Sequence, residues 1–98
     1  MSHIEETIVR KTIDTLLAAG YRLKVDGVSE AWLEPETATE EARQDMVGDV
    51  FEVGEATLLA RFDDSDKTSW VLLIPGNEED IISDYGMNLD PLLADLLD

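Results

Sequence analysis

The side chains of this 98-residue chain that could do chemistry are mostly carboxylates: 23 Asp and Glu stand against 7 Lys and Arg, with one histidine and no cysteine. Carboxylates can hold a divalent cation, work in pairs as general acid and base, or meet a positively charged surface. Three carboxylates within four positions, in Asp63-Asp64-Ser65-Asp66, invite a calcium reading. An EF-hand loop needs glycine at its sixth position and a bidentate Glu at its twelfth. Counted from Asp64, those places hold Ser69 and Pro75, so the spacing predicts a hairpin turn rather than a metal loop. A second group, Asp84, Tyr85 and Asn88 with Asn77, could converge on one small ligand. The favoured alternative has Asp84 and Asn88 hydrogen-bonding backbone in a tight connection while Tyr85 packs on the core.

Without cysteine, disulfides, thiolate metal sites and thiol nucleophiles are excluded. His3 has no second imidazole to work with, and a lone histidine in a first helical turn reads as a surface residue. Gly-rich phosphate loops, Gly-x-Ser-x-Gly and His-Glu-x-x-His are absent. A carboxylate–metal hydrolase would need several acids converging in a cleft, and the patterns below turn nearly all of them outward. The expectation is a protein that is not an enzyme and takes no cofactor or metal.

The net charge of −16 is the outlying property. After Lys67, only acids follow: Glu78, Glu79, Asp80, Asp84, Asp90, Asp95 and Asp98. Such a surface repels phosphate and steers the molecule towards basic surfaces, often the nucleic-acid-binding faces of other proteins. The plainer reading is solubility. No basic and apolar leader opens the chain, and no apolar run nears the roughly 20 residues of a membrane span. These features predict a cytoplasmic location, with no membrane and no direct nucleic-acid contact.

The elements that must position these acids follow from periodicity. Residues 3 to 19 read as a helix, with Ile4, Ile8, Ile13, Leu16 and Leu17 as one apolar stripe and Val9 at its border. Ser2 and Glu5 match a capping box, and Gly20 stands where a terminating glycine would. Tyr21 to Val25 alternates as an edge strand. Ala31 to Glu34 predicts a second short strand, with Trp32 in the core. Thr37 and Glu40 open a helix to about Val53, its buried stripe formed by Ala42, Met46, Val47, Val50 and Phe51. Gly48 there implies a close neighbour or a kink. Glu40, Glu41, Asp45, Asp49 and Glu52 load the other side.

Glu55 to Phe62 reads as a strand, with Leu58, Ala60 and Phe62 on one face. Thr68 to Ile74 is the most continuous apolar run. Trp70, Leu72 and Ile74 alternate with Val71 and Leu73, and both faces call for burial, so this strand is expected to be central and covered on each side. Pro75-Gly76-Asn77 ends it. Ile81 and Ile82 continue as a short strand or turn. Asp90 then caps a final helix with Pro91 at its first position and Leu92, Leu93, Leu96 and Leu97 on its apolar face. Together these give one α+β domain over residues 1–98, a small antiparallel sheet of three or four strands carrying two longer helices and a short C-terminal helix.

The run Trp70 to Asn77, then Asp80-Ile81-Ile82-Ser83-Asp84-Tyr85 and Asn88-Leu89, resembles the C-terminal half of small acidic phage and plasmid proteins. Their pattern is an apolar strand, Gly-Asn, an acidic turn, Ile-x-Asp-Tyr and Asn-Leu. The N-terminal helix leading into Ala-Gly-Tyr and a strand ending in Asp-Gly is similar too. Pro75 departs from the pattern, where an aromatic or other strand residue is expected. The resemblance implies a mobile-element setting and a small α+β fold, and it transfers no site residue.

Two functions remain in view. One is an acidic protein-binding module that inhibits a host nucleic-acid-handling defence complex, of CRISPR or restriction type, by placing carboxylates where phosphates would sit. Its partner-binding residues would be Glu40, Glu41, Asp45, Asp49, Glu52, Glu78, Glu79 and Asp80, set against a basic surface of a host protein. The other is a structural or regulatory homodimer joined through Trp32 and the C-terminal helix, whose acidity serves solubility.

Overall fold

A computed structural model describes residues 3–62 and 68–97. The expected cap at Ser2 and the Asp63–Lys67 loop lie outside the described residues. The order of elements is α1 (His3–Ala18), β1 (Tyr21–Val25), α2 (Glu40–Val53), β2 (Ala56–Phe62), β3 (Thr68–Leu73), β4 (Ile82–Tyr85) and α3 (Asp90–Leu97). Short 3₁₀ turns at Glu78–Asp80 and Met87–Leu89 flank β4. The strands form one antiparallel sheet in the order β1-β2-β3-β4, so the α+β expectation holds, with β4 as a fourth strand where the sequence allows a short strand or a turn.

All three helices contribute to a single core on one face of the sheet. Val9, Ile13, Leu16 and Leu17 of α1 and Met46, Val47 and Val50 of α2 meet Leu23, Val25, Ala56, Leu58, Ala60, Val71 and Leu73 of the strands, with Leu89 and Leu93 closing the C-terminal side. The α1 stripe is therefore rotated from the expected one. Val9 lies at its centre, fully buried, while Ile4 is 44% exposed, because the buried face runs through Glu5, Val9, Thr12, Ile13 and Leu16 and helical spacing turns Ile4 away from it. α3 packs on α1 through Leu93, as a helix of eight residues requires.

Local chemistry explains most element boundaries. Gly20 takes φ +96° after α1, and an added Cβ there would lie 3.0 Å from the Phe62 ring. That ring meets Tyr21 edge-on at 5.4 Å and stays half exposed at the sheet's end instead of entering the core. Thr39, not Thr37, caps α2: its hydroxyl accepts from the Ala42 N–H at 3.0 Å. Gly48 is exposed with no neighbour within 4 Å of an added Cβ, which removes the close-approach reading, and α2 runs on through it. Asp90 has helical backbone angles and is already inside α3, the 3₁₀ turn before it making the entry.

Two expectations about the sheet are overturned. Ala31–Glu34 forms no strand of its own; Leu33 alone bridges Leu23, exchanging both backbone hydrogen bonds at 3.0 and 2.7 Å. That bridge leaves Trp32 outside the core, with the Lys24 ammonium 5.4 Å from its ring centroid. And β3, although internal to the sheet, is covered on one side only: Ser69, Val71 and Leu73 are buried, whereas Trp70 is 37% exposed and Leu72 half-buried.

Candidate protein-binding surface

The two arginines of the helical layer are turned to internal use. Arg10 forms a two-pronged pair with Glu40, Nη1 to Oε1 at 2.7 Å, and its Nε donates to Asp14 at 3.0 Å. Arg43, the one cation of α2, reaches Asp14 at 2.9 Å and the Ala38 carbonyl at 3.1 Å. Gln44 Nε2 donates to Glu6 and Gln44 Oε1 accepts from Arg10, which stitches α2 antiparallel along α1. The bond from Arg10 holds the Glu40 carboxyl below its ordinary range. Glu40 thus leaves the open acidic face for a structural pair.

The other four acids of α2 form a stripe. Glu41, Asp45, Asp49 and Glu52 recur at helical spacing, within about 80° of arc and over about 16 Å of axis, opposite Met46, Val47 and Val50. Among the described residues none of the four belongs to an ion pair. Their crowding has an electrostatic consequence: partial burial, with Glu52 and Asp45 alongside, pushes the Asp49 carboxyl above its ordinary value.

The remaining acids cluster at the end of the sheet towards which this stripe runs. α2 feeds β2, whose first residue, Ala56, pairs with Leu73, and Gly76 and the Glu78–Asp80 turn follow β3 directly. Glu78, Glu79 and Asp80 are exposed. One buried carboxylate holds their turn in place. Glu5, 4% exposed, accepts on a single oxygen, Oε2, from the N–H groups of Gly76 at 2.6 Å and Glu78 at 3.0 Å. Gly76 has φ +108°, and Glu78 is the one non-glycine with positive φ (51°) among the described residues. The capping box expected between Ser2 and Glu5 lies outside the described residues. Glu5 ties α1 to a turn more than 70 positions away, and no spacing in the sequence signals that bond.

The polar group near the C-terminus does not converge. Asp84 accepts from the Tyr85 N–H at 2.8 Å, Tyr85 donates its hydroxyl to Asp90 at 2.7 Å, the Asn88 oxygen accepts from Ser69, and Asn77 donates to the Ile74 carbonyl at 3.1 Å. The Asp90 bond raises the Tyr85 hydroxyl pKa above the ordinary phenol value. Each group has its own partner, close to the favoured alternative, except that Asn88 binds a side chain of β3 rather than nearby backbone. Among the described residues no three His, Asp or Glu side chains are grouped to hold a metal ion, and no helix is long and apolar enough to cross a membrane.

Comparison with protein-family models, curated proteins and solved structures finds no match to this chain. The surface must be interpreted from its own chemistry.

Proposed function

We propose that this protein is an acidic binding module that occupies a basic, nucleic-acid-handling surface of a host protein through Glu41, Asp45, Asp49 and Glu52 of α2, extended by Glu78, Glu79 and Asp80. The observation that carries the proposal is the segregation on α2: its one cation and Glu40 face α1, and four carboxylates are left in a row facing away. Spacing refines the target. Duplex DNA carries one charge per about 1.7 Å of axis, or 3.4 Å for each strand. Four charges over about 16 Å are too sparse for a duplex and approach the density of one strand. A groove that grips a single strand of phosphates is the better fit. The likeness of the C-terminal half to small phage and plasmid proteins favours CRISPR effectors and restriction enzymes as hosts of such a groove.

The test is a tagged pull-down from bacterial lysate at low and moderate salt, with competing single-stranded and duplex DNA in parallel. The expected result is one nucleic-acid-binding complex, displaced by salt and by single-stranded DNA, and lost when Glu41, Asp45 and Asp49 are all replaced by Lys. A partner retained equally at low and high salt, or by the triple variant, refutes the proposal.

A further inference from the structure

The sheet face turned away from the helices is built from both aromatic and charged residues. Register places Lys24, Leu59 and Trp70 in one row across β1, β2 and β3, with Trp32 beside Lys24 through the Leu23–Leu33 bridge. A second row holds Glu34, Arg22, Arg61 and Thr68, with Arg22 Nε 3.2 Å from Glu34. A third row holds Thr57, Leu72 and Asp84. This face carries three of the chain's seven Lys and Arg at its strand positions, against the acids Glu34 and Asp84.

We propose that a second copy of this chain covers that face, joining two sheets in a two-fold symmetric dimer. Two observations support the choice of occupant. First, β3 is apolar on both sides, a pattern that belongs to strands buried on both faces, and the described residues cover only one. Second, charge is segregated. A molecule of net charge −16 repels its own copies, and this face, nearly neutral and mixed in sign, is where two copies can meet with their acidic helices pointing apart. A nucleic-acid strand would find little net positive charge here and a strongly acidic molecule behind it.

The size of the face sets the strength of the contact. Four strands at about 4.8 Å and five residues at about 3.4 Å give a flat footprint of roughly 320 Å² per copy, or about 640 Å² over both, which is the scale of a weak, transient interface. The expected dimer is accordingly weak and populated at the upper end of the concentration range. The proposal does not depend on the partner assigned to α2, though a dimer would present two acidic stripes.

The experiment is sedimentation equilibrium of the full chain from micromolar to near-millimolar concentration, at salt of about 0.05 M and about 0.5 M. The expected mass moves from the 10.9 kDa of one chain to twice that value. Higher salt should tighten the dimer by screening the repulsion between acidic copies, the reverse of the salt response expected for the α2 partner. Leu59→Glu and Trp70→Lys, each adding a charge on the side away from the core, should weaken association on the order of 100-fold with unchanged circular dichroism. Ile4→Glu on α1 should leave it intact. A chain that stays at 10.9 kDa throughout, or a dimer indifferent to both sheet substitutions, overturns the proposal. So does a monomer whose tryptophan fluorescence responds to a single-stranded oligonucleotide, which would assign the face to another occupant.

Discussion

Replacing Glu5 tests whether one buried carboxylate holds the acidic turn to α1. Its Oε2 accepts two backbone N–H bonds, at 2.6 and 3.0 Å. Bonds to a charged acceptor contribute about 1.5 kcal/mol each at the lower end of their range, so Glu5→Ala forfeits about 3 kcal/mol. Part returns. Glu78 is held at φ 51°, a left-handed conformation that costs a side-chain-bearing residue about 1 kcal/mol, and a released turn relaxes it. The net loss is then about 2 kcal/mol. Glu5→Gln keeps an acceptor oxygen in place and loses only the charge, which predicts about 1 kcal/mol. Urea unfolding measures both: with an m-value of about 1.5 kcal/mol/M, the midpoint falls by about 1.3 M for Ala and half that for Gln. Amide exchange at Gly76 and Glu78 should speed up in the Ala variant before global unfolding does. An Ala variant within about 0.5 kcal/mol of the parent refutes the clasp, and equal losses for Ala and Gln would place the effect in the charge rather than the acceptor.

Three further substitutions probe other parts of the argument. Gly48→Ala should stabilise the protein by up to about 1 kcal/mol, because a mid-helix glycine is replaced where nothing crowds an added methyl; a loss in thermal melting would reveal a contact not accounted for. Leu93→Ala should cost about 2–4 kcal/mol in urea unfolding, since its side chain is fully buried where α3 meets α1, and a near-neutral result would mean that α3 docks elsewhere. Asp49 has a folded-state pKa raised above its unfolded value by burial and by Glu52 and Asp45. Its ionisation therefore penalises the native state as pH rises through the raised value, and is harmless below the ordinary carboxylate range. Asp49→Asn should stabilise at pH 7 and lose that advantage at acid pH, as read from melting at the two extremes; a gain independent of pH contradicts the electrostatic cause.

What the chain alone determines is local and periodic. The 3.6-residue repeats of α1 and α2 and the alternation in β1 and β2 are set by neighbours a few positions apart. So is the acidic stripe: Glu41, Asp45, Asp49 and Glu52 share a side of α2 whatever the helix packs against. Pairings across the fold were out of reach because they join residues whose separation carries no pattern. Nothing near Arg10 marks it for Glu40, although its Asp14 partner stands at helical spacing. Nothing near Glu5 points to Gly76. The apolar run of β3 showed two faces that favour burial, but whether one chain supplies both covers depends on how many helices fit over the sheet. All three settle on the same side. Tertiary packing thus left Trp70 and Leu72 facing outward, because the hydrophobic effect rewards area removed from water without specifying which surface removes it.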